Sequence, residues 1–150
     1  MTGFVGIEEA TAVSAQLAAA VRELVAQLSS SAAAPTDEEL SEVAAGEATT
    51  LLIARDAEGA VIGMLTLALF RIPTGVRAWI EDVVVDERSR GHGAGELLVR
   101  RALELARERG ARTVDLTSRP SREAANRLYE RLGFEPRETD VYRLSRPRRP

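Results

Sequence analysis

"RSRGHGAGELL", Arg88 to Leu98, places glycines at 91, 93 and 95 directly before a helical pattern. Alternate glycines let a backbone turn several N–H groups toward one point and let a ligand approach without meeting a Cβ, while the helix behind adds its positive end. The stretch therefore reads as a cradle for an anion; a plain strand-to-helix turn would need only one glycine. Two nucleotide loops are excluded by residues. A Walker loop closes on Gly-Lys-Ser/Thr, but Gly95 is followed by Glu96 and Leu97, and the chain has no lysine. A dinucleotide fingerprint needs a third glycine three residues after Gly93, a place held by Glu96.

Working outward, Val84 and Val85 lead through Asp86 to Arg90 into the glycines, and a helix is expected from about Gly93 to Arg109. Its inward residues would be Leu97, Leu98, Ala102, Leu105 and Ala106, with Gly110 as the cap. "RTVDLTS" after it is a strand that must run parallel to "IEDVVV", because a helical crossover joins the two. Ser121 then caps a helix to Arg131, Gly133 ends it, and "DVYRL" makes a last strand. On the amino-terminal side, Phe4 to Ile7 is a short strand. Val13, Leu17, Val21, Leu24, Val25 and Leu28 recur at helical spacing, and "SSSAAAP" at 29–35 ends that helix. Thr36 with Glu39 forms a capping box for a second helix to about Ala45, stopped by Gly46. "TTLLIARD" and "AVIGMLTLALFRI" flank a turn at Glu58 and Gly59, and "RAWIEDVVV" follows the turn Pro73-Thr74-Gly75, so these neighbours are antiparallel. The order is βααβββαβαβ.

Composition narrows the chemistry. At 150 residues with 45% hydrophobic content the chain has the size of one globular domain with a substantial core. Residues 1–145 are expected to form it, with an arginine- and proline-rich disordered tail over 146–150. A net charge of -3, with every basic residue an arginine, gives no overall basic field for nucleic acid. There are no cysteines and one histidine, His92, which removes thiolate catalysis and leaves a metal site or a Ser-His triad improbable. Glu8 and Glu9 stand where an export signal would carry positive charge, and no apolar run is long enough for a bilayer, so no membrane partner and a cytoplasmic location are expected. Chemistry falls to carboxylates, hydroxyls and backbone.

Arg90-Gly91-His92-Gly93-Ala94-Gly95 resembles the acyl-coenzyme A loop of the GCN5-related N-acetyltransferase (GNAT) family, Gln/Arg-x-x-Gly-x-Gly/Ala. "IEDVVVDERSRG" is similar to that family's fourth strand and loop, and "AANRLYERLGFEP" to its last helix with the Tyr-x-x-x-Gly-Phe ending. The order of elements matches over nearly the whole chain. The resemblance implies an α/β (α+β) fold: a central mixed sheet, mostly antiparallel with one parallel splayed pair, and about four helices. It also implies an N-acetyltransferase that passes an acetyl group from acetyl-CoA directly to a primary amine of a small molecule or protein, without a metal. A homodimer is a possible assembly. A binding module that senses acyl-CoA on the same fold is the competing reading.

Residue by residue, the resemblance assigns the pyrophosphate to the backbone of Gly91, His92, Gly93, Ala94 and Gly95, with Arg88 and Arg90 adding charge. The pantetheine amides would pair with the main chain of Val83, Val84 and Val85 as an added strand does. An amine of pKa near 10.4 costs roughly 4 kcal/mol to deprotonate near pH 7.4, so a base is needed. Glu81 is favoured for it, acting through water, with Asp82 the alternative. Strict alternation would point the two carboxylates to opposite faces. Tyr129 is the candidate acid for the departing thiolate. Asn126 lies on the same helix face, and Arg122 stands where many family members have asparagine, so either would contact the cofactor. Trp79 reads as packing. The acceptor would be chosen by Ser29 to Pro35, Arg71 to Arg77 and Glu135 to Asp140, which name no ligand.

Overall fold

A computed structural model describes residues 5–147. It has four α-helices and one five-stranded sheet among those residues, and the chain divides into two compact units, one up to Thr117 and one from Ser118 onward.

The first unit holds the sheet. Strand β1 (Gly6–Ala10) is followed by α1 (Ala15–Leu28) and α2 (Asp37–Ala45), then β2 (Thr49–Arg55), β3 (Val61–Ile72) and β4 (Gly75–Val85). A single 3-10 turn (Glu87–Ser89) leads to α3 (Ala94–Glu108) and β5 (Ala111–Asp115). The spatial order is β1-β2-β3-β4-β5, antiparallel throughout except for the parallel β4–β5 pair, as the crossover rule requires. The first strand begins later than expected, and Phe4 lies outside the described residues. Glu8 and Glu9 belong to this edge strand, where charge discourages pairing with another chain.

Helix starts follow from local chemistry. The Ser14 hydroxyl accepts the Leu17 N–H at 3.1 Å, and the Thr36/Glu39 capping box forms with both hydrogen bonds, at 3.1 and 3.0 Å. Sheet parity then sorts the core into two layers. Leu51, Ile53, Met64 and Val84 bury themselves with Leu17, Val21, Leu24 and Leu40 of α1 and α2. The cross-strand pair Leu52 and Leu65 lies on the opposite face with Gly63, where a Cβ would come within 3.3 Å of Leu98 on α3. On α3, Leu98, Val99, Ala102, Leu105 and Ala106 are buried, whereas Leu97 is 39% exposed. Leu97 was expected inward; one step along a helix turns the chain by about 100°, and Leu98 takes the core direction.

The second unit contains α4 (Glu123–Arg131). Its N-cap is Arg122, not Ser121, and no side chain caps it. The chain instead turns at Arg119, whose carbonyl accepts both the Arg122 N–H and the Asn126 Nδ2, each at 3.0 Å. The expected last strand does not form. Val141, Tyr142 and Leu144 are 67, 92 and 86% exposed, since an apolar pattern makes a strand only where a ladder partner exists. Of the tail, residues 148–150 lie outside the described range. No helix among the described residues is long and apolar enough to cross a membrane.

Candidate active site

Strand β4 is irregular where its carboxylates stand. Val84 faces Met64 and Glu81 faces Thr66, so β4 spends three residues where β3 spends two. The extra residue is a bulge, and Asp82 takes φ +51°, a left-handed conformation uncommon for a residue with a side chain. Directly opposed residues share a face, so Glu81 lies on the α1/α2 side with Val84 although they are three apart. The expected alternation between Glu81 and Asp82 is interrupted at Asp82 for this reason. Both carboxylates are exposed, and no salt bridge engages either one among the described residues. The Glu81 carboxylate does accept the Trp79 indole N–H, at 2.6 Å.

Beyond Trp79 the sheet opens. The last β4–β5 pair is Trp79 with Asp115, while β4 continues to Val85. Asp86 donates its N–H to Ile62, so the neighbouring Val85 turns its own peptide groups away from β3, toward the opened side. The Val85 carbonyl accepts Arg90 Nε there, at 3.2 Å.

The loop after β4 is pinned by Asp86, which is buried. Its Oδ1 accepts the Arg88 N–H at 3.0 Å, its Oδ2 takes Arg88 Nη2 at 3.2 Å, and Gln27 of α1 accepts the Glu87 N–H at 3.0 Å. The Arg88 side chain and N–H hold the Asp86 carboxyl below its ordinary 3.8. A lowered carboxyl stabilises the fold above its ordinary value, and that contribution is lost as pH falls through the folded value. Asp86→Asn keeps a capping oxygen but loses the charge paired with the exposed Arg88, so it should cost no more than about 1 kcal/mol at pH 7. Thermal melts should show the gap from wild type narrowing in acid. Sequence reading passed over Asp86; its position two residues before Arg88 is the usual signal of such a turn.

The glycines follow. Gly91 has φ +86° and Gly93 φ +82°, and a Cβ at either would meet nothing within 4 Å. Gly93 is the N-cap of α3 with no side-chain cap, and the first ladder bond runs from Leu97 N–H to the Gly93 carbonyl. The N–H groups of Ala94 and Gly95 thus have no partner in the helix ladder, and the Cβ positions of Gly91 and Gly93 before them are open. His92 is exposed between them. Only Gly95 is helical and needs no positive φ.

In the second unit, α4 ends in a Schellman motif. Gly133 has φ +100°, its N–H reaches the Glu130 carbonyl, and the Phe134 N–H reaches the Tyr129 carbonyl, both at 3.0 Å. The apolar contact that accompanies this motif is the Tyr129–Phe134 ring pair, edge to face with centroids 5.8 Å apart. Tyr-x-x-x-Gly-Phe is thus a helix-ending device that also fixes the Tyr129 ring. Burial pushes the Tyr129 hydroxyl above its ordinary 10.0, and the charge of Arg122 pulls partly against this. Tyr129 therefore remains a phenol across the neutral range. Asn126 uses one N–H of its Nδ2 on the Arg119 carbonyl, which leaves the other N–H and the side-chain oxygen for another partner.

A pocket of about 480 Å³ beside Thr49, Thr50 and Arg109 lies at the opposite end of α3 from the glycines. Arg109 is already engaged there by Thr50 Oγ1 at 2.7 Å and Glu9 at 3.9 Å.

The family model described as Acetyltransferase (GNAT) family matches residues 18–134. The chain belongs to that family. It is 41% identical over 61 residues to an uncharacterized N-acetyltransferase, MJ1207, of Methanocaldococcus jannaschii, covering 41% of this chain and 27% of that protein. It is 37% identical over 59 residues to a putative [ribosomal protein bS18]-alanine N-acetyltransferase of Bacillus subtilis (strain 168), covering 39% of each. The matched stretch thus spans less than half of either curated relative. Among solved structures, a putative acetyltransferase from Agrobacterium tumefaciens str. C58 superposes with a TM-score of 0.79 at 25% identity, over 93% of this chain and 99% of that one. The sheet with its parallel β4–β5 pair and four helices is the fold of this GNAT family.

Proposed function

We propose that this chain is an N-acetyltransferase that uses acetyl-CoA and transfers the acetyl group directly to a primary amine. The observation that carries the reading is the loop: two left-handed glycines lead into a 15-residue helix that has no side-chain cap, and the space a Cβ would take at either glycine is open. Backbone N–H groups of residues 91–95 would hold the pyrophosphate, and the β4 stretch Val83, Val84 and Val85 would take the pantetheine amides, with the Val85 peptide groups turned to the opened side. Arg90 would contribute its remaining guanidinium nitrogens to the phosphates. Arg88 is largely neutralised by Asp86, so its electrostatic share is smaller. Arg122 and Asn126 would contact the cofactor from α4.

The step balances without a covalent enzyme intermediate. Water relays a proton from the ammonium to Glu81, and the freed lone pair forms a bond to the thioester carbonyl carbon. As the C–S bond breaks, the sulfur takes a proton from the Tyr129 hydroxyl, which regains one from the nitrogen of the adduct through water, while Glu81 gives its own to solvent. Zero cysteines fit a direct transfer.

The test is a panel of amines with acetyl-CoA, read by free-thiol release. The panel should include amino sugars, polyamines and peptides with a free amino-terminal alanine, the last suggested by the name of the Bacillus relative. Thiol release that requires both the protein and one acceptor class is expected. Tight acetyl-CoA binding without release for any amine would overturn the transferase and favour a sensing module.

A further inference from the structure

Glu81 is exposed, carries three rotatable bonds and pairs with no arginine among the described residues. A carboxylate so placed would sample many directions, and a base that does not point at its proton is a poor one. One contact restrains it. The Trp79 indole N–H donates to Glu81 Oε1 at 2.6 Å from two residues earlier on the same face of β4. Ala68 lies opposite Trp79, so the indole meets a small neighbour there, and Trp79 also closes the last β4–β5 pair. The ring is thus seated where the sheet begins to open. Indole has one donor and no acceptor, so this bond is its only strong polar contact, and it leaves Glu81 Oε2 free.

We infer that Trp79 is a positioning residue, whose indole N–H holds one oxygen of Glu81 so that the other faces the water that relays the amine proton. This rests on Glu81 being the base. The contact joins ring and carboxylate within one strand, so it needs no other element to form.

The experiment is a four-member cycle of wild type, Trp79→Phe, Glu81→Gln and the double variant, with kcat and KM measured on an accepted amine. Trp79→Phe keeps an aromatic ring but loses the donor. It should lower kcat about tenfold, in line with the loss of a hydrogen bond to a charged group, with KM for acetyl-CoA unchanged. In the Glu81→Gln background the same change should cost nothing further. Trp79 is the sole tryptophan, so its emission also reports on the contact, and Glu81→Gln should shift it while the melting temperature stays put. Full kcat in Trp79→Phe, an equal loss in both backgrounds, or unmoved emission would overturn the assignment. Full kcat in Glu81→Gln is a separate outcome: it removes the base itself, and the positioning role with it.

Discussion

Tyr129→Phe is expected to lower turnover by about ten- to a thousandfold while acetyl-CoA affinity stays within a few-fold of wild type. The hydroxyl acts on sulfur charge that exists only as the C–S bond breaks, so its loss raises the barrier by roughly 1.4 to 4 kcal/mol and leaves ground-state binding alone. The ring must stay where it is for this comparison to mean anything. Phenylalanine preserves the edge-to-face contact with Phe134 and the Schellman hydrogen bonds, which involve only backbone. The acid must also hold its proton. Burial raises the Tyr129 hydroxyl above 10.0, so any alkaline fall in rate caused by its ionisation lies above that pH, and Tyr129→Phe should lack that limb. Steady-state turnover and a CoA dissociation constant on the same variant decide the matter. Equal turnover, with chemistry limiting, would return Tyr129 to a packing role.

The fold was legible because its signals are local. Thr36 and Glu39 name a helix start, Glu58-Gly59 a hairpin turn, and the helical crossover between β4 and β5 forces a parallel pair. The last strand was misread because Val141, Tyr142 and Leu144 show what a segment could do beside an edge and not whether it has one. Ser121 was misread for a related reason: a serine near a helix start is a candidate, and the turn at Arg119 with Asn126 satisfied the backbone differently.

At the site, the glycines were readable because left-handed backbone leaves a composition mark, and Gly91 and Gly93 carry it. The bulge leaves none. Asp82 is neither glycine nor asparagine, and only the register between β3 and β4 reveals that an extra residue disrupts the alternation around Glu81 and Asp82. Trp79 was hidden similarly, since an indole two residues from a glutamate is ordinary until both are seen on one strand face in hydrogen-bond contact. The turn at Asp86 was signalled by its spacing from Arg88, but the guanidinium pairing that accompanies it shows only in the structure, and it redistributes charge around the loop.

Gly93→Val is expected to weaken acetyl-CoA binding at least tenfold, or about 1.4 kcal/mol, by placing a branched side chain in the open space through which the pyrophosphate would approach the Ala94 and Gly95 N–H groups. The substitution also strains the backbone, because Gly93 sits at φ +82°, and roughly 1 to 2 kcal/mol of folding stability should be lost with it. Gly110 provides the matching control. It has φ +81°, equally open surroundings and a place at the other end of α3, so Gly110→Val should lower the melting temperature comparably and leave the cofactor alone. The measurement is calorimetric titration of acetyl-CoA into folded wild type, Gly93→Val and Gly110→Val at a temperature below all three melts. The account predicts a dissociation constant raised tenfold or more in Gly93→Val and unchanged in Gly110→Val. Equal dissociation constants in all three proteins would contradict the anion cradle on which the assignment rests.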